Sequence, residues 1–208
     1  MTTILITGFG PFPGAPSNPT GPLVKRLAHL RRPALADVKI VPHIFPTSYA
    51  AVDRDLPRLI ARHKPDALLM FGLASRAKTL RVETRARNTL TLLADAGGSA
   101  PRRHAITPGA APAMQMSAPT RRLLAALRSA RVPVVLSRDA GRYLCNYLCW
   151  RAAETACNKG RPRLAAFVHV PAIARGARRA GQRRWLTPDD LARAGSTLLA
   201  ATAAVCHD

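Results

Sequence analysis

Short apolar runs closed by glycine or proline return along the whole chain, with helix-length segments between them. That alternation limits the folds open to it. Residues 4–7 (Ile-Leu-Ile-Thr) run into a Gly/Pro loop, and residues 38–41 alternate as a strand does. Residues 66–72 read as a buried strand ending at Gly72. Residues 132–137 and 164–170 repeat the pattern, the last stopped by Pro171. Between the runs, residues 23–30 fit a helix with Leu23, Leu27 and Leu30 on one face. Ser48 suits the N-cap of the next helix, which Pro57 is expected to break in two before His63. Residues 121–129 form another, and residues 142–157 follow Gly141, with Asn158 and Gly160 as the stop. Thr187 caps the last helix, with Pro188 in its first turn and Asp189 and Asp190 beside its positive end. Residues 81–93 read as extended, and 96–113, rich in Gly, Pro and Ala, as a loop or hairpin insertion. Strands alternating with helices imply an α/β fold, an α/β/α sandwich with a mostly parallel, twisted sheet. Such sheets place their sites at the carboxyl ends of strands. A length of 208 residues suits one domain spanning 1–208.

The formal net charge of +21 invites a nucleic-acid reading. Its densest run is Arg175, Arg178, Arg179, Arg183 and Arg184, where Trp185 is the one aromatic. Grooves for single-stranded nucleic acid combine charge with stacking platforms, and aromatics here are only 5%. Nucleic-acid binding is therefore expected to be weak and non-specific at most. A hydrophobic share of 48% argues against disorder. No apolar run approaches the roughly 20 residues of a membrane span, and no basic stretch precedes an apolar one as in a signal peptide. A cytoplasmic protein without membrane contact is expected. Without a secretory signal, Cys145, Cys149, Cys157 and Cys206 read as free thiols. Cys145 and Cys149 stand one helical turn apart, but no second pair completes a zinc set, so no metal is expected. The loop Gly8-Phe9-Gly10-Pro11-Phe12-Pro13-Gly14 looks like a dinucleotide fingerprint, yet its prolines forbid the helix a pyrophosphate needs.

Three residues stand out for their chemistry. Cys145 falls in the first turn of a helix, where amides and the dipole favour a thiolate and can hold an oxyanion. A free Cys is otherwise a small core residue. His169 ends an apolar strand, where a sheet presents functional side chains; it suits general-base work or a hydrogen-bonded core position. Glu83, one of two glutamates, lies among arginines and reads either as a surface ion pair or as a carboxylate that orients an imidazole. A Cys with a distant His and an acid is the set a thiol nucleophile needs.

Taken together, the motifs resemble those of the pyroglutamyl-peptidase I (pyrrolidone-carboxylate peptidase) family of cysteine peptidases. Thr7-Gly8-Phe9-Gly10-Pro11-Phe12 through Ser17-Asn18-Pro19 is similar to that family's N-terminal strand and substrate loop. Glu83 with Asn88 is similar to its glutamate motif. Ala140-Gly141, Tyr143 and Cys145-Asn146 resemble its nucleophile motif, and Phe167-Val168-His169-Val170-Pro171 its histidine motif. The resemblance implies a Cys145–His169–Glu83 triad that removes an N-terminal pyroglutamyl residue from peptides through a thioester, with no cofactor. It implies a pocket lined by Phe9 and Phe12, Asn18 as a brace for the loop, and a homo-oligomer, commonly a tetramer. The family's usual Gly-Gln-Ala-Gly-Gly-Arg reads here Gly72-Leu73-Ala74-Ser75-Arg76-Ala77, so Leu73 replaces a polar contact. The segment after Asn88, Thr89-Leu90-Thr91-Leu92-Leu93, also departs. Two other readings follow: a thiol amidase acting on a different N-acyl group, and a catalytically weak relative that binds polyanions.

Overall fold

The computed structural model describes residues 1–12, 14–157, 160, 162–173 and 186–207. The arginine run at 175–184 lies outside them. Six strands form one sheet in the order β2-β1-β3-β8-β4-β7. They are β1 (Thr2–Phe9), β2 (Val38–Phe45), β3 (Ala67–Ala74), β4 (Leu80–Glu83), β7 (Val134–Ser137) and β8 (Leu164–Pro171). All neighbours run parallel except β4 and β8. A two-stranded antiparallel pair, β5 (Arg85–Arg87) and β6 (Ala113–Gln115), stands apart. The helices are α1 (Thr20–Ala28), α2 (Tyr49–His63), α3 (Thr120–Ser129), α4 (Leu144–Cys157) and α5 (Pro188–His207).

The sheet is buried on both faces, which is why β1 and β3 are near-continuous apolar runs. Ile4, Ile6, Leu69, Phe71 and Val168 face one core with residues of α1, α3 and α5. Leu5, Leu68, Met70 and Phe167 face the other, with residues of α2 and α4. These are the three layers expected of the α/β/α sandwich. Among the described residues no helix is long and apolar enough to cross a membrane.

Pro57 does not break α2. The helix is continuous through it, because Pro57 lies on the exposed side while Val52 and Leu56 anchor the buried one. The carbonyl that loses its partner there belongs to Asp53, itself an exposed residue, where water can replace the lost N–H. Ser48 does occupy the N-cap, but its hydroxyl does not bond the helix amides. Asp95 supplies the acceptor from a distant loop: Oδ2 takes the Tyr49 N–H at 3.0 Å. Oδ1 takes the N–H groups of Gly97 and Ser99 at 2.9 and 3.0 Å. Burial alone would raise the Asp95 pKa, but bonds from Ser48, Ser99, Tyr49 and Gly97 outweigh it and lower it. Asp95→Ala should therefore cost about 1–3 kcal/mol, the usual penalty for stranding buried donors. Thermal unfolding measures this, and an unchanged midpoint would refute the capping role. At α5 the expected cap is present in reciprocal form: Asp190 N–H donates to Thr187 Oγ1 at 3.1 Å, and Thr187 N–H donates to Asp190 Oδ2 at 3.0 Å.

Candidate active site

The carboxyl ends of β3 and β8 meet the start of β4 on the face that carries α4. Across these three strands, Gly72, His169 and Arg81 are direct neighbours in register. Glu83 lies two residues further along β4, opposite Phe167. The antiparallel direction of β4 puts Glu83 deeper in the sheet and Arg81 at its rim. Above them α4 begins at Leu144, after Gly141 in the left-handed region at φ 82°. That turn delivers Cys145 onto the sheet at Gly72. A Cβ on Gly72 would lie 2.8 Å from the Cys145 sulfur and 2.6 Å from Phe167 Cζ.

Cys145, His169 and Glu83, far apart in sequence, are thus brought together. Glu83 is fully buried at 0% exposure and His169 is 5% exposed, so Glu83 is no surface ion pair. His169 Nδ1 lies 2.8 Å from Glu83 Oε1. Glu83 Oε2 is buried without a hydrogen-bond partner. His169 is therefore the group that balances this carboxylate, since an unpaired buried charge is very costly. Burial alone would drive the His169 pKa down. The charge and hydrogen bond of Cys145, then the hydrogen bond and charge of Glu83, outweigh it and raise the value to about 9. The ring accordingly favours the imidazolium, with Glu83 on one nitrogen and the Cys145 sulfur as its second partner.

The second thiol of α4 has another fate. Cys149 is wholly buried, and burial together with the charges of Glu83 and Cys145 pushes its pKa well up. It stays a neutral thiol in the core. Only Cys145 of this pair opens on the cavity.

That cavity holds about 360 Å³ and is lined by Cys145, His169, Phe9, Phe12, Asn18 and Leu73, together with Thr47, Arg81 and residues 139–144. All four pocket residues expected from the sequence resemblance are in its wall. Asn18 is a brace as well: Nδ2 donates to the Gly10 carbonyl at 3.2 Å, and Oδ1 accepts from the Thr20 N–H and hydroxyl at 3.1 and 2.8 Å. Leu73 makes one side apolar. A larger open groove of about 690 Å³ lies at residues 28–40, but its lining holds no thiol, imidazole or carboxylate. Chemistry, not size, marks the smaller cavity as the site.

Asn146 and Asn88 explain their motifs by packing. Asn146 Oδ1 accepts the Arg87 N–H at 2.9 Å, and its amide donates to the carbonyls of Arg87 and Thr89 at 2.8 and 2.9 Å. The segment leaving Glu83 is thereby tied to the turn that carries Cys145. Asn88 fastens the following loop, exchanging hydrogen bonds with the Thr107 backbone at 2.8 and 2.9 Å.

The sequence profile of the pyroglutamyl peptidase family matches residues 2–183. The chain belongs to the pyroglutamyl peptidase family. It is a hydrolase of that family's cysteine type. It is 33% identical over 171 residues to a pyrrolidone-carboxylate peptidase of Thermococcus onnurineus, covering 82% of this chain and 84% of that one. Against one from Clavibacter michiganensis it is 31% identical over 209 residues, covering 100% and 96%. The solved pyrrolidone carboxyl peptidase of Thermococcus litoralis superposes with a TM-score of 0.88 at 25% identity, covering 100% of this chain and 96% of that one.

Sequence reasoning did not single out Gly72, Thr47 or Arg81 for the site. Gly72 had a signal, a glycine closing a buried apolar run. Arg81 and Thr47 had none, because only the pairing of β4 with β8 and the packing of loops bring them to the cavity.

Proposed function

We propose that this chain hydrolyses the amide bond after an N-terminal pyroglutamyl residue of peptides, with Cys145 as nucleophile, His169 as acid and base, and Glu83 as the group that orients His169. The observation that carries this reading is the buried 2.8 Å contact of His169 with Glu83, with Cys145 as the second partner of the ring. His169 holds the proton of the Cys145 thiol. The thiolate attacks the carbonyl carbon joining the pyroglutamyl group to the next residue. The first N–H groups of α4, which have no partner one turn back, face the charge that develops on the oxygen. Collapse of the adduct breaks the C–N bond, and the leaving amine takes the proton from His169. A water that gives its proton to His169 then cleaves the thioester, releasing pyroglutamate and the thiolate. The flat, uncharged lactam suits walls made by Phe9, Phe12 and Leu73.

The test is release of a fluorescent amine from a pyroglutamyl amide under reducing conditions. No release, with the protein folded, would sink the proposal. The pH profile gives a sharper readout. Donation to the leaving amine needs the imidazolium, which persists below the raised pKa of about 9 and is lost above it. The rate constant kcat/KM should therefore fall on the alkaline side near that pH. Glu83→Gln removes one of the charges that raise His169, so this limb should move to lower pH. An alkaline limb unmoved by Glu83→Gln would contradict the role given to Glu83.

A further inference from the structure

Arg81 stands beside His169 on β4, its Cα directly opposite in the antiparallel pair, and it lines the catalytic cavity. Its side of β4 is the one that carries Glu83, so the guanidinium belongs to the same face as the imidazole. No carboxylate among the described residues pairs with it. Arg142, exposed on the same wall, is also without an acidic partner there. The one carboxylate in the lining is Asp139. Its Oδ1 accepts the Gly141 N–H at 3.1 Å and faces Arg87 at 3.8 Å. The cavity thus carries a half-buried cation that no carboxylate among the described residues neutralises.

On the reaction proposed above, the leaving amine departs on the side of His169, because it takes its proton there. Phe9, Phe12 and Leu73 form the apolar part of the cavity for the lactam. Arg81 is then left facing the residue that follows the pyroglutamyl group. We infer that Arg81 is a specificity residue for a carboxylate on that residue, either its side-chain carboxylate or the free α-carboxylate of a dipeptide. A guanidinium matches a carboxylate with two parallel N–H donors. Arg81 is half-buried in the cavity wall, where a charge-assisted bond keeps more of its strength than on open surface. This inference rests on the proposed reaction, and its test separates the two.

The experiment compares kcat/KM for three substrates: pyroglutamyl-alanine with a free carboxylate, pyroglutamyl-alanine amide and pyroglutamyl-glutamate amide. At least one carboxylate-bearing substrate should exceed the uncharged amide by about tenfold in the wild type, the size of one good charge-assisted bond. Which of the two gains identifies the source of the carboxylate. Arg81→Gln should collapse the preference to about twofold or less, while Arg81→Lys, which keeps the charge but not the fork, should retain part of it. Equal turnover of all three by the wild type, or a preference that survives Arg81→Gln, overturns the assignment of Arg81 alone. Turnover of none overturns the peptidase reading and this inference with it.

Discussion

Cys145→Ala is expected to lower turnover of a pyroglutamyl amide by at least about 10⁴-fold, the scale on which nucleophile deletions act in covalent catalysis. The thermal unfolding midpoint should hardly move. Cys145 is half-buried at the cavity, so the lost sulfur opens onto existing space instead of hollowing the core. His169 and Glu83 keep each other, and no buried charge is stranded. His169→Ala is a poorer test. It would leave Glu83 at 0% exposure without its 2.8 Å partner, and with Oε2 already lacking one. Orphaning one member of a buried pair costs about 3–5 kcal/mol, so loss of activity there could not be separated from loss of fold. Alkylation by iodoacetamide supplies a second readout. Label should fall on Cys145 and be lost from that position in the alanine variant, whereas Cys149, held as a neutral thiol in the core, should stay unlabelled in both. Activity of Cys145→Ala within tenfold of the wild type would refute the nucleophile assignment.

The parts of the fold that bury both faces of a strand were legible, because a run such as Ala67–Ala74 has no other stable place. The cap of α5 was legible too, since both its partners lie within four residues. What failed to show depended on long-range packing. Pro57 is tolerated because of which side of α2 meets the core, and residue order does not reveal that side directly. The cap of α2 comes from Asp95, 46 residues away from Tyr49. β4 is four residues long and antiparallel to β8, too short for a periodic signature. For the same reason the residues around Glu83 left it open between a surface ion pair and a carboxylate that orients an imidazole, and its pairing with β8 is what buries it. The family motifs pointed to the three chemical residues because each motif holds its own local support. Asn146 beside Cys145 is one such support, and its hydrogen bonds to Arg87 and Thr89 join two motifs distant in sequence. Gly72 carries a requirement of the same kind that only the assembled structure reveals.

Gly72→Ala should reduce kcat/KM by about 10²-fold or more, the cost of displacing reacting groups by an ångström or so. The added methyl would stand 2.8 Å from the Cys145 sulfur and 2.6 and 2.9 Å from Phe167 Cζ and Cε1. Neither neighbour can yield freely. Phe167 is fully buried, and its ring meets His169 edge-on at 5.0 Å between centroids. Pushing Phe167 aside therefore also disturbs the imidazole, while pushing the sulfur aside moves it from the hydrogen bond with His169. Overpacking of this kind also costs stability, about 1–3 kcal/mol. The two effects separate in the pH profile. If the sulfur is the atom displaced, His169 loses the contribution of Cys145 to its raised pKa, and the alkaline limb moves below that of the wild type. If only packing suffers, the limb stays and the unfolding midpoint alone falls. Full activity in Gly72→Ala would show that the close approach of Cys145 to β3 is not required for turnover.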